Sequence, residues 1–141
     1  MAADEKKEEE QKVQTPAEQL RELCRGKLVL MEPIRARGQD VTELHFDFCA
    51  LTGNEMMDAL DSVPSSRNMF EINNRQAVAL FAATAGKCAP ADEDGGKNSK
   101  LYDAKDVAER IGAADSVKAM QLAKLFYNAS SQAGNRNISK E

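Results

Sequence analysis

Residues 28–60 read LVLMEPIRARGQDVTELHFDFCALTGNEMMDAL, and how this stretch divides decides the fold. Residues 28–31 are apolar on both sides of a strand. Pro33, with no backbone N–H to give, ends that strand or sets it at an edge. Residues 35–40 carry the turn, with Gly38 supplying a permissive backbone angle. Over residues 41–48 the chain resumes as a strand. Leu44, Phe46 and Phe48 alternate on one face, with Glu43, His45 and Asp47 on the other. Thr52-Gly53-Asn54-Glu55 is a capping box, in which hydroxyl and carboxylate each satisfy the other residue's amide. The helix it opens carries Met56, Met57, Ala59, Leu60 and Val63 and stops before Pro64. Two strands with one apolar face are not stable alone, so helices or a neighbouring copy must cover that face.

Toward the N-terminus, residues 1–14 (MAADEKKEEEQKVQ) hold almost no apolar side chains and cannot offset their ordering entropy, so a disordered charged tail is expected. Thr15-Pro16-Ala17-Glu18 is another capping box, and Leu20, Leu23 and Cys24 share a face of the short helix it starts, with Gly26 as its stop. Toward the C-terminus, Asn73 or Asn74 caps a helix whose Ala77, Val78, Leu80 and Phe81 make it apolar nearly all round, with Gly86 as its C-cap. That pattern is expected of the central buried helix. A polar loop over residues 87–100 leads to a helix capped by Asp103 and stopped by Gly112. A last helix over residues 115–131 carries Val117, Met120, Leu122, Leu125 and Phe126. The expected fold is α+β: a small N-terminal β-hairpin packed with four to five mostly C-terminal helices. A single domain spans residues 15–134, and residues 135–141 form a flexible tail.

At 141 residues with 42% apolar content the chain fits one modest core, and six Met are available where a surface must adapt. A net charge of −4 argues against a nucleic-acid-binding body. Three cysteines, Cys24, Cys49 and Cys88, form no CxxC pair, and their odd number reads as reduced thiols in a cytosolic protein. Only His45 is available to join them, at spacings unsuited to zinc. No apolar run approaches the roughly 18 residues of a membrane span. Asp92-Glu93-Asp94-Gly95 lacks the ligand spacing of a calcium loop, and Gly95-Gly96-Lys97-Asn98-Ser99 lacks the glycine and hydroxyl of a phosphate loop. Asp58 and Asp61 share a helix face, but no pocket is predicted to separate their pKa values. The expectation is a protein with no catalytic, cofactor or metal residues. Adjacent helical residues point about 100° apart. One of Met56 and Met57, and one of Phe126 and Tyr127, is therefore a candidate protein-binding residue unless the core stripe is wide enough for both.

The wording of residues 28–60 resembles the tail assembly chaperones of long-tailed phages, in particular those of Mu-like contractile-tailed phages and prophages. That family carries an apolar strand, then "PI" and a glycine, a "V-x-x-L" strand, and "LTG" opening a helix. Here these are Pro33, Ile34, Gly38, Val41, Leu44, Leu51, Thr52 and Gly53. The later layout, an Ala-rich helix, a short helix and a long terminal helix, is similar too. The resemblance implies a cytoplasmic protein of a bacterial host cell that binds the tape measure protein, keeps it soluble and helps recruit tail tube subunits. The charge and the lack of a long apolar run lead to the expectation of no nucleic acid and no membrane partner. Self-association, making a candidate homo-oligomer, would multiply modest per-site affinity. The rival readings are a virion structural tail completion or connector protein, and a small nucleic-acid-binding regulator using Arg35, Arg37, Arg136 and Lys140.

Overall fold

The hairpin turn sets the register of the strand pair as far as Ile34↔Val41. The computed structural model describes residues 18, 22, 24–64, 71–92 and 100–139, with side chains as far as residue 130. Strand β1 (Arg25–Ala36) pairs antiparallel with β2 (Gln39–Asp47) in a two-stranded sheet. Arg37 and Gly38 form the turn with φ of 48° and 80°. Two positive φ values suit the twist of a two-residue hairpin turn. Gly38 meets this requirement freely, whereas Arg37 does so at a steric cost that its sequence context did not announce.

Strand β1 does not stop at Pro33. The ladder runs from Arg25↔Asp47 to Val29↔Glu43, then resumes at Ile34↔Val41, so residues 30–33 face only Thr42. Pro33 falls inside this bulge, where no ladder hydrogen bond is asked of it. The bulge is held from outside the sheet. Asp115, 1% exposed, accepts the Met31 and Glu32 N–H groups at 2.9 and 3.1 Å.

Beyond β2, Phe48–Ala50 make one 3-10 turn, followed by four helices among the described residues: α1 (Gly53–Asp61), α2 (Asn74–Lys87), α3 (Ala104–Arg110) and α4 (Ala113–Ser139). This is the expected α+β arrangement. The caps at Thr52 and Asp103 form where the sequence placed them, and of Asn73 and Asn74 it is Asn73 that caps α2. Thr52 with Glu55, Asn73 with Gln76, and Asp103 with Asp106 each make a reciprocal capping box. The tail expected over residues 1–14 lies outside the described residues. So does the helix expected from Thr15, apart from the helical Glu18, Glu22 and Cys24.

The inward face of the hairpin meets α2. Leu44, Phe46 and Phe48 are buried as their alternation required, and α2 buries Ala77, Leu80, Phe81 and Ala85 against them. The ring centroid of Phe46 lies 5.5 Å from those of both Phe48 and Phe81, and Phe126 of α4 stacks on Phe48 at 4.8 Å. Thr84 of α2, fully buried, accepts the Asp47 N–H at 2.7 Å and so ties the end of β2 to the central helix. At the hairpin tip, Arg37 pairs with Asp92 at 3.0 Å.

Three further expectations need correction. Gly86 is not a C-cap: α2 runs on to Lys87, and Cys88 caps it. Gly86 is buried because α3 crosses there, and a Cβ on it would stand 2.5 Å from the Ala104 backbone N. The last helix does not end near Ser131 with a loose tail after Gly134. It continues to Ser139, since no proline interrupts it and one glycine costs a helix only about 1 kcal/mol. Cys24 and Cys49 are not separate thiols but form a disulfide, with Cα atoms 5.6 Å apart. The register explains this: Arg25 pairs with Asp47, so the residue before β1 and the turn after β2 arrive at the same place.

Gly86→Ala is expected to lower stability by about 1–3 kcal/mol, because overpacking against the α3 backbone outweighs the helix-propensity gain of about 1 kcal/mol. Urea denaturation checks this. An unchanged or higher midpoint would mean that α3 moves away freely.

Candidate functional site

Helices α1 and α3 both pack on α2 but scarcely on each other. The space between them is a groove floored by the outer face of α2. Its first part, of about 520 Å³, has Ala79, Ala82 and Ala83 beneath it, with Ala59 on one side and Ala104 on the other. A second part, of about 440 Å³, continues past Val78 to Met120 of α4. Ser62, Ala79 and Ala108 border both parts, so the two are continuous. From Arg75 to Ala83 the floor runs roughly 12 Å along α2, a little over two turns. Alanine makes the floor because a helix can keep its geometry there while presenting little bulk.

The groove's walls are charged at their lips. Glu55 and Asp58 stand on the α1 side, Lys105 on the α3 side, and Arg75 at the far end. Glu55 is already engaged: Lys87 donates to it at 2.6 Å and the Thr52 N–H at 2.8 Å. Lys87 first, and the Thr52 amide second, hold its carboxyl below the ordinary glutamate value. Asp58, Lys105 and Arg75 have no ion pair with any described residue.

Groups with possible chemistry lie elsewhere and apart. His45 is on the outward face of the hairpin, its Nε2 3.3 Å from Glu43, which also pairs with Lys27 at 3.4 Å. Tyr102 is 2% exposed, and burial first, then Cys88 and Glu43 nearby, push its hydroxyl upward. Among the described residues no group of three or more His, Cys, Asp or Glu is placed to hold a metal ion, and no helix is long and apolar enough to cross a membrane. Of the acidic loop, Asp92 is described and buried; residues 93–99, with the glycine-lysine stretch, lie outside the described residues.

The candidate binding residues divide unevenly. Met57 is 54% exposed, whereas Met56 packs on the core. Phe126 is a core residue and not a surface contact, because its ring is needed against Phe48; Tyr127 packs partly buried beside it, so on α4 the wide stripe takes both. The residues resembling the phage family turn out to build the scaffold. Ile34, Val41 and Leu44 are core, Pro33 sits in the bulge and Gly38 in the turn. Thr52 caps α1, Gly53 is its first residue, and Leu51 lines the groove. Ala79, Ala108 and Lys105 were not singled out from sequence. An alanine on the outer face of a buried helix carries the same letter as one in the core, and only the gap between α1 and α3 distinguishes them.

Comparison with family models, with curated protein sequences and with solved structures returned no match.

Proposed function

We propose that this protein is a non-enzymatic tail assembly chaperone of a phage or prophage. In the bacterial host it binds the tape measure protein, keeps it soluble and helps recruit tail tube subunits. The observation that carries the reading is the open, alanine-floored groove across α2. A concave apolar surface of this length suits an amphipathic helix laid into it, and a tape measure protein offers apolar helical stripes many times over. Weak contacts repeated along one long partner sum to firm capture. The family-like residues support the same reading, since they set the hairpin and the start of α1, the groove's acidic wall. Exposed Val29 and Met31 on the outward face of β1 offer a place for copies to associate along the partner.

Co-expression with the tape measure protein of the same phage is expected to raise the soluble yield of that protein, and the two are expected to co-purify. Tape measure solubility unchanged across several expression conditions would remove the chaperone reading. A gene position beside the virion connector genes, and away from the tape measure gene, would favour the structural alternative.

A further inference from the structure

We infer that the groove between α1 and α3 takes one amphipathic α-helix of a partner, apolar toward Ala79 and Ala83, with a basic flank over Asp58 and an acidic flank over Lys105. The inference rests on the chaperone reading for the biological partner but names the binding surface and the chemistry it selects. Three features fit together. The floor is small side chains, so an incoming helix approaches closely and its own large residues fill the space. Leu, Ile or Met at i, i+4 and i+7 reach along the two turns between Arg75 and Ala83. The walls carry opposite charge, Asp58 on α1 and Lys105 on α3. These charges, with Arg75, make no ion pair with a described residue, in contrast to Glu55, which Lys87 satisfies within the fold. Rim charges of this kind set partner choice more than affinity.

Reversing a helix in a groove exchanges its flanks, so opposite walls do not by themselves impose a direction. They do demand one flank of each sign. A partner with acid on both flanks meets Asp58 whichever way it lies.

The test uses the full-length protein and two labelled synthetic helical peptides of about 20 residues, long enough to hold a helix. Both carry the same leucine stripe. One has a lysine flank and a glutamate flank; the other has glutamate on both. Fluorescence anisotropy reads their binding. The wild-type protein is expected to favour the mixed peptide by about threefold, the size of an exposed ion pair. Asp58→Lys leaves an unpaired cation on each wall, Glu55 being satisfied by Lys87, and is expected to reverse that preference. Ala79→Trp, at the junction of the two parts of the groove, is expected to weaken both peptides by at least about tenfold, losing most of the apolar contact. Ala108→Trp, at an exposed position on the α3 wall, repeats the block if Ala79→Trp fails to fold.

Folded tryptophan variants that bind like wild type would overturn the proposal. So would an Asp58→Lys protein with unchanged preference. Self-association lost on blocking the groove, with no peptide capture by the wild type, would give the site to a second copy and equally overturn it. Peptide capture without any effect on tape measure solubility would sink the chaperone reading and leave the groove standing. Tape measure rescue indifferent to Ala79→Trp would do the reverse.

Discussion

Replacing Phe46 by Ala is expected to destabilise the domain by about 3–5 kcal/mol, the range for truncating a fully buried aromatic residue. Phe46 is 5% exposed and lies between Phe48 and Phe81, each 5.5 Å away by ring centroid. The residue paired with it on β1 is Gly26, and a Cβ there would stand only 3.2 Å from the Phe46 ring tip. The ring therefore fills space that its cross-strand neighbour leaves open. Once it is gone, no Gly26 side chain can lean into the void, so the cavity penalty adds to the lost transfer energy. The ring also bridges hairpin and α2, so its loss loosens the contact on which the sheet depends. Thermal denaturation should show a fall of more than about 10 °C for a domain of this size. A melt within a degree or two of wild type would mean that the inward face of β2 is not the face described.

The second large effect is at Asp115. Asp115→Ala is expected to cost about 2–5 kcal/mol, because it leaves two backbone N–H groups without their acceptor and each such loss is worth about 1–3 kcal/mol. Those groups are Met31 and Glu32, in the bulge where β1 has left its ladder to β2. Bonds to a carboxylate are the stronger kind, and both oxygens are used. Asp115→Asn keeps one acceptor and turns an amide N–H₂ toward the other donor, so its loss should fall between wild type and the alanine variant. Urea denaturation gives the magnitude. Amide hydrogen exchange at Met31 and Glu32 gives the mechanism: both should exchange faster in Asp115→Ala, beyond the change shared by the rest of β1. Unaltered exchange at these two amides would show that the carboxylate does not hold the bulge, whatever the melt says.

The two predictions differ in how visible their residues were beforehand. Phe46 could be placed from its neighbours alone, because a strand reverses its side chains at every residue and Leu44, Phe46 and Phe48 keep the same parity. Asp115 is, by its place in the chain, an ordinary first-turn acid, favourable to the helix dipole. Its partners are 83 and 84 residues away. No local pattern encodes a side chain of α4 satisfying a defect in β1, although the defect itself was hinted at by Pro33.

By itself the sequence determined what lies within three or four residues: the caps at Thr52 and Asp103, the α2 cap to within Asn73 or Asn74, the inward face of β2, the turn at Gly38, and α2 as the buried helix. These rest on backbone geometry, side-chain periodicity and hydrogen bonds between near neighbours, all of which are written in the local sequence. Tertiary structure alone decided four things. It brought Cys24 to Cys49, set Gly86 beneath α3, turned Phe126 inward while leaving Met57 outside, and opened a groove over Ala79. Each depends on where a second element crosses the first. That position follows from the combined packing of the hairpin, α2 and α4, and a one-dimensional pattern of apolar letters carries a helix's inward face without saying which neighbour will cover it, or whether any will.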